Sequence, residues 1–269
     1  MNEHFGDETC VIKKILQLSM KSLINKLQSL KSTGVVGVKQ SFEDEGAILQ
    51  DVILMRRITE LAGMYMSVKI GGCEALSDIN NSVQMGSDGI VAPMVETEFA
   101  LQKFVESVSN VKDTRFYVNI ESKTAYENLD KILNSPSSKL LTGIVVGRSD
   151  LTKSYGLSKT ETDSKMILDV VYDIMSKSKK YGFTNLMGGN ISTKSCEFIK
   201  TLYNDGLLDY IETRNMIVKL DQNNTKNLME VVKSILEFES DWMSYKSQTY
   251  TQIGNSYRER AELLRRRLE

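Results

Sequence analysis

The chain has 269 residues, of which 41% are hydrophobic and 26% charged, with a formal net charge of −1. That size and balance suit one compact α/β unit, because barrels of roughly 250 residues fold as single domains, and the near-neutral charge gives no global attraction for nucleic acid or an anionic membrane. Three widely spaced cysteines, Cys10, Cys73 and Cys196, argue against a disulfide framework or a thiolate zinc site and make a reducing cytoplasm the simplest location.

The chain starts with an acidic, polar stretch from Met1 to Glu8, which does not read as a secretory signal. No apolar run approaches the roughly 18–20 residues of a membrane helix. A helical leader follows over residues 11–31 and stops at Thr33-Gly34. Apolar runs read as strands at 35–39, 64–70, 89–92, 115–120, 141–146, 184–187 and 208–212. Helical stretches fall near 48–62, 75–85, 98–109, 124–133, 163–181 and 193–205. Such regular alternation predicts a parallel sheet with helical crossovers. Several of the strands are continuously apolar, as expected when both faces are covered. An eighth strand is not visible; it is missing or hidden in the leader. Residues 223–250 then read as a long helix with an apolar stripe, including Leu228, Val232, Ile235 and Trp242, and 256–268 as an arginine-rich helical tail with a solvated face. The predicted organisation is a leader over 1–33, a barrel over 34–222 and a C-terminal helical extension over 223–269, packed on the barrel or a neighbouring subunit.

Two acids stand out. Glu121 directly follows the strand Phe116-Tyr117-Val118-Asn119-Ile120, and Asp150 follows Gly143-Ile144-Val145-Val146-Gly147-Arg148-Ser149. A helix lies between, so each carboxylate sits at the C-terminal end of a neighbouring strand, where barrels build active sites. With no Cys/His cluster nearby, the pair suits a hard cation such as Mg²⁺; exposed loop acids or helix caps are the competing reading. Lys69 precedes Gly71-Gly72 on an apolar strand, a cation placed for an anionic substrate or a developing enolate, unless it snorkels from a strand edge. Gly188-Gly189, ahead of a helix, expose backbone N–H groups suited to a phosphate or carboxylate, although such a pair is also an ordinary loop. Arg214 clamps a carboxylate or pairs with Glu212.

Together, Gly86-Ser87-Asp88-Gly89-Ile90-Val91-Ala92-Pro93-Met94-Val95-Glu96-Thr97, Asn119-Ile120-Glu121 and the segment from Gly143 to Thr152 resemble the HpcH/HpaI aldolase and citrate lyase β-subunit family over roughly residues 34–220. The resemblance implies a modified (β/α)8 TIM barrel. It also implies carbon–carbon bond cleavage or formation next to a 2-oxo acid or a thioester. Glu121 and Asp150 match the family's ligands for Mg²⁺ or another divalent ion such as Mn²⁺. Lys69 stands where the family places an enolate-supporting arginine, keeping the charge and losing the fork of donors. The family histidine that acts as base has no counterpart: the comparable stretch reads Phe42-Glu43-Asp44-Glu45-Gly46, and His4, the only histidine, precedes it. Glu45, Glu43 or a metal-bound hydroxide takes that role.

The expected function is therefore a divalent-metal-dependent lyase acting on a small 2-oxo acid or carboxylate, with Glu121 and Asp150 on the metal. Lys69 and Glu45 serve the chemistry, and Gly188, Gly189 and Arg214 the distal anion. The alternatives are a citrate-lyase-like acyl-CoA lyase, a Schiff base on Lys69 or Lys39, and a barrel that binds without turnover. Family members commonly assemble through a C-terminal helix, so the resemblance also implies a homo-oligomer, with neither nucleic acid nor membrane as partner.

Overall fold

The computed structural model of the protein describes residues 19–42 and 47–268. Glu45 and the leader before residue 19, with Cys10 and His4, lie outside the described residues. Helix α1 (Met20–Ser29) starts where Ser19 and Ser22 each accept from the other's backbone N–H, and it ends through a short 3-10 turn at Gly34. Gly34 has φ +92°, and a Cβ there would stand 2.2 Å from Asn224 Nδ2 and 2.9 Å from the Lys219 carbonyl oxygen. Glycine is what lets the two ends of the barrel approach so closely.

Strand β1 (Val35–Ser41) leads to α2 (Leu49–Ala62), β2 (Tyr65–Lys69), α3 (Leu76–Gln84), β3 (Gly89–Ala92), α4 (Glu98–Val108) and β4 (Arg115–Ile120). The chain continues through α5 (Lys123–Glu127), α6 (Leu129–Asn134), β5 (Gly143–Gly147), α7 (Arg148–Ser154), α8 (Lys165–Lys180), β6 (Thr184–Gly188), α9 (Cys196–Asn204) and β7 (Tyr210–Glu212). Thr97 caps α4 by accepting from Ala100 N–H at 3.1 Å. The seven strands expected from the sequence are present, and the ring closes with an eighth, β8 (Met216–Lys219). This strand is neither missing nor hidden in the leader: only Thr213, Arg214 and Asn215 separate it from β7, so the two short apolar runs read as one segment followed by a loop. It also departs from the expected all-parallel sheet, pairing antiparallel with both β7 and β1. The fold is a closed eight-stranded α/β barrel of the (β/α)8 type, with its last strand reversed.

Alternation along each strand sends one set of side chains outward and the other into the ring. Met66, Val68, Ile90, Val118, Ile144 and Met187 face the helices and build the main core. A much smaller apolar cluster, Val91, Tyr117, Val145 and Leu186 with Tyr210 against it, fills the middle of the ring. After α10 (Gln222–Lys226), the two predicted C-terminal helices prove to be one continuous helix, α11 (Leu228–Arg265). Its first half packs within this chain: Trp242 is buried, Lys26 of α1 pairs with Asp241 at 2.6 Å, and Lys246 pairs with the buried Asp51 of α2 at 2.6 Å. Tyr250 also donates to Asp51. Beyond that point Ile253, Tyr257, Leu263 and Leu264 are exposed, as are the tail arginines. Among the described residues, no helix is long and apolar enough to cross a membrane.

Candidate active site

A polar cavity of about 520 Å³ opens at the C-terminal ends of the strands. It collects the sequence-predicted residues Lys69, Glu121, Asp150, Gly188, Gly189 and Arg214 on one wall system, together with Lys39, Asn119, Glu212 and Glu239. Glu45 lies outside the described residues, so its place relative to this mouth is not among them.

Glu121 directly follows β4 and lines the cavity, 3% exposed. Its carboxylate accepts from Asn119 Nδ2 at 2.8 Å and from Met94 N–H at 3.0 Å, and the Lys69 ammonium stands 3.9 Å away. Burial pushes this carboxyl above the usual range; Lys69, Asn119 and the Met94 amide oppose the shift, and Asp150 adds to it. Lys69 is itself only 8% exposed, so its side chain is enclosed with Glu121 instead of snorkelling to the rim. Asp150 is half-buried in the first turn of α7, a helix the sequence reading did not anticipate, where the helix dipole favours an acid.

Gly147 is what admits the Glu121 carboxylate. A Cβ at Gly147 would stand 2.4 Å from Glu121 Oε2. Gly147→Ala should therefore displace the carboxylate while leaving the strand intact, since φ at this position is −85°. The expected result is a fall in turnover of ~10²-fold, typical of a reacting group moved by about an ångström, with melting temperature little changed.

Gly188 and Gly189 line the same cavity, but the helix they were expected to open begins only at Cys196, after a 3-10 turn at Thr193–Ser195. Their carbonyls are instead bound by Arg148, whose Nη2 donates to Gly189 O at 2.9 Å and whose Nε lies 3.4 Å from Gly188 O. Arg148 is fully buried, pairs with Asp163 at 2.5 Å and lies 4.7 Å over the Phe198 ring. This pin between β5 and β6 was missed as a functional element, because a motif arginine beside an acid reads as part of the site itself.

Sequence reasoning also missed the second carboxylate group of the mouth. Glu212 pairs with Lys39 at 2.6 Å. Arg214 is exposed at the rim of the cavity. Glu239 reaches in from α11 and accepts from Thr213 Oγ1 and Asn215 N–H, each at 2.5 Å. No strand motif flags it, because it comes from a helix more than twenty residues downstream. Burial pushes the Glu239 carboxyl above the usual range, against the pull of Thr213, Asn215, Lys39 and Arg214. A raised folded-state value means the folded protein holds a proton that the unfolded chain has already released. The stability from Glu239 is thus complete below the ordinary carboxylate range and is lost as pH rises through the raised value. Urea unfolding across that window should show the decline, and Glu239→Gln should reduce it, leaving the part that the raised Glu121 carboxyl contributes.

The sequence model of the HpcH/HpaI aldolase/citrate lyase family matches residues 67–191, the stretch from the middle of β2 to just past β6 that carries Lys69, Glu121, Asp150, Gly188 and Gly189. Solved structures agree in fold. The citrate synthase SbnG superposes with a TM-score of 0.58 at 16% identity, covering 81% of this chain and 90% of its own. An HpcH/HpaI aldolase/citrate lyase family protein from Burkholderia cenocepacia gives 0.58 at 14% identity, covering 83% and 91%. An HpcH/HpaI aldolase from Desulfitobacterium hafniense gives 0.54 at 12% identity, covering 73% and 82%. At these identities the likeness concerns the fold alone. No curated protein sequence matches the chain. The match to the HpcH/HpaI aldolase/citrate lyase model supports lyase-type chemistry in general.

Proposed function

We propose that this barrel is a divalent-metal-dependent carbon–carbon lyase acting on a small 2-oxo acid. The observation that carries the reading is the pair of carboxylates, Glu121 and Asp150, facing one polar cavity with the Lys69 ammonium beside the first. The donor chemistry fits a hard ion. Among the described residues no cluster of three His, Cys or acidic side chains exists, but the two carboxylates are joined on the cavity wall by Asn119, whose Oδ1 is buried without a hydrogen-bond partner. An all-oxygen set completed by substrate and water suits Mg²⁺ or Mn²⁺. When bound, such an ion supplies Lewis-acid polarisation of substrate oxygens.

The chain's own residues supply the rest. Lys69 offers positive charge where a substrate oxo oxygen becomes negative, in an enclosed place where charge stabilisation is strong. Arg214 at the rim, with the backbone of Gly188 and Gly189, holds the far anionic group of the substrate. Proton transfer falls to a carboxylate, since the single histidine is His4. Glu45 remains the proposed base. Among the described residues, Glu239 is, besides the proposed ligand Glu121, an acid of the same cavity whose value burial raises in the direction a general base requires. The test is release of pyruvate from a panel of 4-hydroxy-2-oxo acids. A chelator should stop release and added Mg²⁺ or Mn²⁺ restore it; release indifferent to the chelator would refute the metal reading.

We further propose a cytoplasmic homo-oligomer. Its support is the far half of α11, where Ile253, Tyr257, Leu263 and Leu264 are exposed on a helix already anchored by Trp242. Sedimentation of the chain truncated after Thr251 should show a smaller species than the full chain; identical species would remove that role for the helix.

A further inference from the structure

A second cavity, of about 270 Å³, lies inside the ring toward the N-terminal ends of the strands, below the mouth. Barrels of this type pack their interior with stacked layers of bulky side chains, yet β3 contributes Gly89 to the lowest layer. A Cβ on Gly89 would stand 1.9 Å from Tyr65 Oη and 3.3 Å from Ser67 Oγ, so the two hydroxyls occupy the space it leaves. The two hydroxyls face each other and that of Tyr117 without a well-formed hydrogen bond, and Ser67 is only 3% exposed. Buried hydroxyls without well-formed hydrogen bonds are costly and call for a water, an ion or a ligand to complete them.

The cavity has a clear polarity. Its walls are apolar and aromatic, built by Val91, Tyr117, Leu186, Tyr210 and Ile217. At its lower rim stand two exposed cations, Arg115 at the start of β4 and Lys219 at the end of β8. The reversal of β8 is what brings Lys219 there, opposite Tyr210 in the pairing register; a parallel strand would end at the upper rim. At the upper end Glu212, already paired with Lys39 at 2.6 Å, closes the space against the mouth cavity and lines both.

From this arrangement we propose that the lower cavity binds a small amphipathic monocarboxylate. Its carboxylate sits between Arg115 and Lys219, its apolar body lies against Tyr117 and Leu186, and a hydroxyl substituent completes the hydrogen bonds of Ser67 and Tyr65. Glu212 at the deep end opposes a second anionic group, and the volume is below that of usual sites for drug-sized ligands, roughly 300–1,000 Å³, which selects a compact molecule. The site is distinct from the mouth and does not rest on the lyase reading.

The experiment is calorimetric titration of the full chain with 3-(4-hydroxyphenyl)propionate, and with 3-phenylpropionate for comparison. Saturable one-site binding is expected, weakened about tenfold or more when Arg115→Gln and Lys219→Gln are combined, because a charge-assisted pair is lost. Both side chains are exposed, so this variant should fold, which circular dichroism melting checks. Ser67→Ala should erase the preference for the hydroxylated probe, while Glu121→Gln in the mouth should leave binding unchanged. No saturation at millimolar probe, indifference to the Arg115/Lys219 variant, or displacement by oxalate at the mouth would overturn the assignment.

Discussion

Glu121→Gln should lower divalent-ion-dependent pyruvate release by ~10³-fold or more, the scale of removing several kcal/mol of charge stabilisation from a metal-assisted step. The exchange is close to isosteric. The amide oxygen of glutamine still accepts from Met94 N–H, so the end of β4 keeps its shape. What disappears is the negative charge beside Lys69 and the anionic oxygen offered to an ion. The stabilisation that Mg²⁺ or Mn²⁺ gives in a thermal shift should vanish with it, since a ligand raises stability only through the affinity it retains. Asp150→Asn should act in the same direction and less severely, because Asp150 is half-exposed and water can replace its oxygen. Turnover that survives Glu121→Gln unchanged would leave the two acids as ordinary strand-end residues.

The second large effect falls on stability. Arg148→Met should destabilise the fold by about 3 kcal/mol, the lower end of the cost of breaking a buried ion pair from one side. The lower end applies because the Asp163 side chain is 24% exposed and water offsets part of the loss. The carbonyl of Gly189 would lose its donor, and the stacking over Phe198 would go as well. Arg148→Lys should fall between the two, keeping charge without the fork that reaches Asp163 and Gly189 together. Urea unfolding checks the stability. Kinetics on the folded fraction should show KM rising more than kcat falls, as the Gly188-Gly189 wall loosens while Glu121 stays in place.

Much of this architecture is legible in the residues alone. Seven strands announce themselves because each is an apolar run flanked by helical periodicity, and the strand-end position of Glu121 follows from that register. The shared mouth follows too, since parallel strands in a ring deliver their C-terminal ends to one face. Three features escape for physical reasons. Strand β8 holds only Met216, Ile217 and Val218 before Lys219 and follows a three-residue turn, too little pattern to separate from β7. Helix α7 occupies a stretch of mixed polar residues whose helical state is set by the burial of Arg148, Leu151 and Thr152. Glu239 enters the site from a helix read for its apolar stripe, and an isolated acid on such a helix carries no positional signal. The pairing of Glu212 with Lys39 joins residues at opposite ends of the barrel sequence, which only the closed ring makes neighbours.

The seam between β1 and β8 has a consequence for how the molecule is made. Val35 pairs with Val218, so the ring's final join links residues near both extremes of the barrel. On the ribosome, seven strands emerge before the second partner of β1 exists, and the sheet must stay open with two raw edges until residues 216–219 have been synthesised. Because β7 and β8 are consecutive arms of one tight hairpin, the closing piece arrives as a preassembled pair. Nascent chains arrested upstream of that hairpin present unpaired strand edges, which is where chaperone capture or self-association would begin.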